Sequence, residues 1–282
     1  MGCPDCGTLL AYQESCLVCR SCGYNGVGSG RVNYLPCPEL KEILLRAFSP
    51  SDSHAGYCLH DAPWIPEAGH VPRGFVGALG SLDEVELVLV TAEPGNPAKR
   101  KYRGAPADEK YSVSFPLDRL GLMAQTCEYT FVAYEKWNDR FHAKTREILN
   151  QCFGEVGLAA QLRRAWLVDA YLCSAPVSGG QVPKQTWMPC ARDFLCPQLR
   201  LLQEKGSNPL IVALGGKASE RVRYCGVDFV SAYHPSYRYP LKQKEAQQSW
   251  DDICNADERQ AISRAPLRQN GPRSRHLKSF VP

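Results

Sequence analysis

Apolar positions fall in short runs, and the runs differ in period. Residues 85–90 (Val-Glu-Leu-Val-Leu-Val), 165–172, 210–214 (Leu-Ile-Val-Ala-Leu) and 229–232 are compact apolar stretches of strand length. Between them, residues 134–153, 187–205 and 217–224 carry apolar positions at helical spacing, and residues 38–48 open with Pro38 where a helix accepts it. Residues 49–80 are rich in Pro, Gly, Ser and His and are read as a loop region. Strands alternating with helices predict an α/β body of three αβα layers around a central, mostly parallel, four-stranded sheet. In such sheets a site lies beyond the carboxyl ends of the strands. Each unusual short sequence falls at such an end: Thr91-Ala-Glu-Pro-Gly-Asn-Pro, Asp169-Ala-Tyr-Leu-Cys, Leu214-Gly-Gly and His234-Pro-Ser-Tyr-Arg.

Composition narrows the class. The chain has 282 residues, 44% hydrophobic and 22% charged, which excludes disorder and collagen. Its apolar runs are too short to cross a bilayer, and the opening residues do not form a secretory leader, so a cytoplasmic monomer without a membrane partner is expected. Thirty-three basic against 29 acidic residues leave +4, which is compatible with a nucleic-acid partner.

Cysteine is the anomaly. Five of 14 fall within the first 22 residues, a skew that points to a local metal site in a reducing compartment. Cys3-Pro-Asp-Cys6-Gly and Cys19-Arg-Ser-Cys22-Gly are two CxxC turns separated by a length that fits a short hairpin. Four thiolates in that pattern suit a structural zinc ion, so a zinc ribbon is expected over residues 1–30, with Cys16 a competing ligand. A helix and linker would follow over 31–80, a catalytic domain over 81–258, and a basic tail over 259–282.

The four strand-end motifs, in this order and spacing, resemble the uracil-DNA glycosylase superfamily over residues 85–240. The resemblance implies hydrolysis of an N-glycosidic bond after the base is flipped out of DNA. Glu93 would then orient water and support positive charge on the sugar, and His234 would donate to the departing base. Pro235 and Ser236 would fix the turn and meet phosphate. Tyr237 and Arg238 would wedge into the gap left by the base. Phe115 is the candidate to stack on the base, and Lys99, Arg100 and Lys101 form a basic insertion suited to phosphate or polar substrate groups. Cys173 and Cys190 match two of the four cysteines that hold an iron–sulfur cluster in one branch. Upstream only Cys37 and Cys58 could complete the set, and buried packing cysteines are the alternative.

Two positions depart from a uracil reader. Asp169 stands where the superfamily usually has Asn. A carboxylate accepts from the N4 amine of cytosine but opposes O4 of uracil, and a shared proton would then be needed at cytosine N3. Gly95 stands where the most uracil-selective members have a Tyr that blocks base C5, and the resemblance implies that this side would be open. Together they favour a C5-modified cytosine, such as the hydroxymethylated or glucosylated cytosine of phage DNA, removed in anti-phage defence. Uracil excision in repair is the alternative within the class. A non-catalytic zinc-ribbon DNA-binding protein is the alternative outside it.

Overall fold

The computed structural model describes residues 34–48, 72–94, 119–136, 139–173, 181–237 and 242–255, together with the backbone of three short strands before them. Those strands, β1 (Ala11–Gln13), β2 (Cys16–Val18) and β3 (Asn25–Gly26), form a small antiparallel sheet in the order β1-β2-β3. A hairpin therefore lies between the two CxxC turns. Cys3, Cys6, Cys19 and Cys22 themselves lie outside the described residues.

The body is α/β, with a mixed sheet of five strands rather than four. Its order is β4 (Phe75–Gly77), β6 (Ala165–Asp169), β5 (Leu87–Thr91), β7 (Leu210–Leu214) and β8 (Val230–Ala232). Strands β6, β5, β7 and β8 are parallel, as expected. Strand β4 runs antiparallel to β6, pairing Phe75 with Val168 and Gly77 with Trp166. It comes from the stretch read as a loop, because three residues flanked by Gly74 and Gly80 carry too little pattern to declare a strand.

Alternation along the strands feeds two cores. Val88, Val90, Trp166, Val168, Ile211 and Ala213 face one cluster, and Leu87, Leu89, Ala165, Leu167, Val212 and Leu214 face the other. The first is covered by α1 (Pro38–Leu45), the first half of α2 (Arg119–Lys136), α5 (Lys184–Cys190), α6 (Cys196–Lys205) and α7 (Gly216–Cys225). The second is covered by the rest of α2, α3 (Arg140–Phe153), α4 (Leu158–Arg164) and α8 (Gln243–Cys254). Three layers result. Leu40, Leu44 and Phe48 are fully buried in the first core, so residues 38–48, the helical start of the segment expected as helix and linker, pack into the body. Each such side chain contributes about 1.5–3 kcal/mol by leaving water.

Other boundaries moved for local reasons. The helix expected over 134–153 is two helices. Asp139 caps the second by accepting from the amides of Phe141 and His142. The helix expected over 187–205 begins at Lys184 and passes through a π-helical turn, Ala191–Leu195, just before Pro197. Proline removes a donor and crowds the turn before it, which the wider π turn accommodates. There Gln198 donates to the carbonyl of Phe194 and accepts from the indole of Trp166 at 3.0 Å. The cysteines of the body are not all free: Cys152 pairs with Cys254 and Cys196 with Cys225 as disulfides. Linear spacings of 102 and 29 residues hide both pairs. Among the described residues no helix is long and apolar enough to cross a membrane.

Candidate functional site

The parallel strands bring their carboxyl ends to one edge, and the start of the antiparallel β4 lies at the same edge. Thr91 and Asp169 are register partners there, at the ends of β5 and β6. Gly74 precedes β4 beside them, and its carbonyl accepts from the Asp169 amide at 2.6 Å. Glu93 follows β5, Gly215 follows β7 and His234 follows β8. Three of the residues singled out from sequence, Glu93, Asp169 and His234, therefore lie at one edge of one sheet.

Glu93 is held by cations. Its side chain is 6% exposed, with Oε1 2.9 Å from Lys217 Nζ and Oε2 2.6 Å from the Arg221 guanidinium. Both partners come from α7, four residues apart, so one helical face delivers them. Arg221 is buried, donates to the carbonyl of Ala92 and lies 5.5 Å over the Trp187 ring. Each carboxylate oxygen keeps a second lone pair, so Glu93 can still accept from a water while fixed in place.

Asp169 is buried at 7% exposure. The Thr91 hydroxyl donates to its Oδ1. Its Oδ2 lies where a side chain on residue 74 would be: Gly74 has φ +81°, and a Cβ there would overlap Oδ2. Burial pushes the Asp169 pKa up to about 7. The Thr91 bond opposes that rise, the Glu93 charge adds to it, and the charges of Arg73 and Arg221 oppose it. The phenol of Tyr134 on α2 is raised well above its ordinary range by burial and by the charges of Asp169 and Asp139. At neutral pH Asp169 is therefore a mixture of carboxylate and neutral acid, and the acid form presents one donor and one acceptor.

His234 is oriented from three sides. The backbone amide of Ser236 donates to Nδ1 at 3.1 Å. A backbone N–H can only donate, so the neutral ring carries its proton on Nε2. Phe141 of α3 stacks on the imidazole with centroids 5.5 Å apart. Gly215, at φ +97°, brings its backbone beside His234, where a Cβ would lie 3.2 Å from His234 Cβ. Helix α8 secures the strand leading in: Trp250 Nε1 donates to the Tyr233 carbonyl at 2.7 Å, and Ser249 Oγ accepts from the Tyr233 amide at 3.2 Å.

Pro235 is buried and shapes the turn. Tyr237 packs edge-on against Tyr233, and its amide closes the turn onto the His234 carbonyl at 2.8 Å. Gly95, Lys99, Arg100, Lys101, Phe115 and Arg238 lie outside the described residues, as does the basic tail. Cys37, Cys173 and Cys190 are buried thiols, and burial raises the Cys37 pKa to about 11. Cys190 Sγ accepts from the Leu172 amide at 3.5 Å. Among the described residues no three His, Cys, Asp or Glu side chains assemble into a group that could hold a metal ion, and Cys58 lies outside them.

Sequence reading overlooked Thr91, Gly74, Arg73, Lys217, Arg221 and Phe141. Lys217 and Arg221 had a signal, the i, i+4 spacing just after Gly215-Gly216. Thr91 had one in the strand register. Arg73 and Gly74 had none, since β4 itself was not recognised. No protein-family model and no curated protein sequence matches the chain.

Proposed function

We propose that the chain is a DNA glycosylase of the uracil-DNA glycosylase type that removes a C5-modified cytosine, in defence against phage DNA. The observation that carries the reading is the convergence of Glu93, Asp169 and a His234 whose Nδ1 accepts from Ser236. A neutral imidazole with its proton on Nε2 suits donation to a base as negative charge develops there. Glu93, fixed by Lys217 and Arg221, orients water and faces the positive sugar. Asp169 reads the base edge: a neutral carboxyl donates to cytosine N3 and accepts from its N4 amine, supplying the shared proton that pairing needs. The same neutral carboxyl has an amide's complement of donor and acceptor, which favours uracil as the second reading. Gly95 and the basic insertion at Lys99, Arg100 and Lys101 supply room and charge for the C5 substituent, and Arg238 and the tail supply phosphate contacts.

The N-terminal segment is, in this reading, a zinc ribbon that assists DNA binding. The antiparallel hairpin between the CxxC turns fits it. Cys3, Cys6, Cys19 and Cys22 would hold the ion, which would staple a segment too small to fold alone. An iron–sulfur cluster on Cys173 and Cys190 is a lesser proposal, since it needs two further ligands.

Duplexes carrying uracil, cytosine, hydroxymethylcytosine or glucosylated hydroxymethylcytosine, scored for abasic sites, test the function. Abasic sites with the modified cytosines are expected. Release of uracil alone would establish the second reading, and release of none would defeat the glycosylase reading. For the ribbon, Cys19→Ser with Cys22→Ser should abolish bound zinc, and full zinc content would remove the assignment.

A further inference from the structure

Asp169 is the one site carboxylate held by a hydroxyl and a glycine rather than by direct ion pairs with cations, and that surrounding restricts how it can meet a ligand. Thr91 lies opposite it in the β5–β6 register, and the Thr91 hydroxyl donates to Oδ1. Gly74 lies on its other flank, where β4 joins the sheet, and the missing Cβ is the space that Oδ2 fills. Among the described residues, the groups that act on the carboxyl are Thr91 and Glu93 from β5 and its end, Arg73 from the approach to β4, Tyr134 from α2 and Arg221 from α7.

We propose that Thr91 and Gly74 are specificity-determining residues that act through Asp169: the Thr91 hydroxyl commits Oδ1 to accepting, and the bare Cα of Gly74 turns Oδ2 into a fixed second position. The two carboxyl oxygens thereby become inequivalent. When the group takes up a proton, that proton goes to Oδ2, since Oδ1 already receives one from Thr91. The carboxyl then offers a fixed order of acceptor and donor along a base edge. A carboxyl free to exchange its oxygens would accept either a cytosine-type or a uracil-type edge by moving its proton, whereas this one does not. The inference rests on the glycosylase reading for its substrate, but the carboxyl orientation can be measured without catalysis.

Two variants test it. Thr91→Val keeps shape and removes the hydroxyl; Thr91→Ser keeps the hydroxyl. The first readout is the Asp169 carboxyl resonance in protein labelled with ¹³C-aspartate, assigned by its loss in Asp169→Asn and followed through pH. Thr91→Val should move its titration midpoint upward by about half to one pH unit, because a donor to the charged form is gone, and Thr91→Ser should not. The second is single-turnover excision of modified cytosine against uracil. Thr91→Val should narrow the preference by about tenfold, the worth of one lost hydrogen bond, and Thr91→Ser should restore it. An unchanged midpoint in Thr91→Val overturns the inference whatever the enzyme does. A moved midpoint with an unchanged base preference overturns the specificity role. A protein that excises no base defeats the glycosylase reading instead, and the resonance then decides the carboxyl orientation alone. Gly74→Ala should abolish the preference. Because φ +81° strains any side chain there, its folding must first be checked by circular dichroism, and the Thr91 pair decides the matter if it fails to fold.

Discussion

The two ends of the central sheet use the same residue types in opposite ways. At the amino end, Arg163 grips Glu84 through both nitrogens at 2.8 and 3.1 Å, and Arg164 grips Glu86 at 2.7 Å. Glu84 also closes a capping box with Ser81. These carboxylates are 37% and 44% exposed, so water shares their charge. At the carboxyl end, Glu93 and Arg221 are paired at 6% and 3% exposure, and Asp169 is buried beside a hydroxyl. Two positive-φ glycines bring backbone close to this end, Gly74 against Asp169 and Gly215 against His234. Burial at the first end is avoided, and at the second it is accepted. Desolvated charge is expensive unless paired, and buried ionisable groups of this kind collect at functional sites more often than elsewhere.

That contrast can be broken in several ways, and the largest effect concerns stability. Arg221→Met leaves Glu93 buried without its closest partner and should cost about 3–5 kcal/mol in urea denaturation, whereas Arg164→Met at the exposed pair should cost less than about 1 kcal/mol. Equal losses would erase the distinction between the ends.

Protonation sharpens it next. Asp169 titrates near 4 when unfolded and at about 7 when folded, so between those values the folded state binds the extra proton. Stability from this group is therefore fully present at acid pH, falls as pH rises through that window and levels above it, by at most about 4 kcal/mol. Asp169→Asn should remove the slope, gaining on the original protein from pH 4 to 8. Asp139 has the opposite sign. Burial works to raise its pKa, but the His142 hydrogen bond at 2.5 Å, its charge and the α3 amides outweigh burial and hold the carboxyl below its usual range. Its contribution is present above the unfolded pKa and lost in acid, so Asp139→Asn should lose ground at neutral pH and recover it as the medium is acidified. Thermal melts across pH read both, and parallel profiles would show that burial does not separate the two sites.

Catalysis follows. His234→Ala and Glu93→Gln should each lower single-turnover excision by about 10²-fold or more, while Glu84→Gln leaves it within about twofold. A comparable loss in Glu84→Gln would mean that the rate reports general stability rather than the carboxyl edge. The smallest effect is the coupling between Arg164 and Glu86, expected at about 0.2–1 kcal/mol in a double-mutant cycle and weakened by salt.

How much of this was legible depended on how local the determinants are. The four parallel strands were readable because apolar runs such as Leu210–Leu214 must be buried on both faces. The placement of Glu93 and His234 just beyond strand ends was readable because each follows such a run within a few residues. Strand β4 was not, since three residues gain their identity only by pairing with β6. The break before Asp139 was missed because helical spacing continues across it, and only the cap marks the second start. Arg221 carries no local mark of burial: it is buried because α7 packs against β5.

The sequence by itself determined the layer architecture and the sheet edge to which Glu93, Asp169 and His234 come, because hydrophobic period and chain direction are properties of neighbouring residues. The tertiary structure alone decided the state of the charges gathered there. Whether Asp169 holds a proton, which oxygen of it Thr91 engages, and which cations clamp Glu93 are set by residues far apart in the chain. Desolvation and Coulomb energy act through space, and no linear pattern records the distances they depend on.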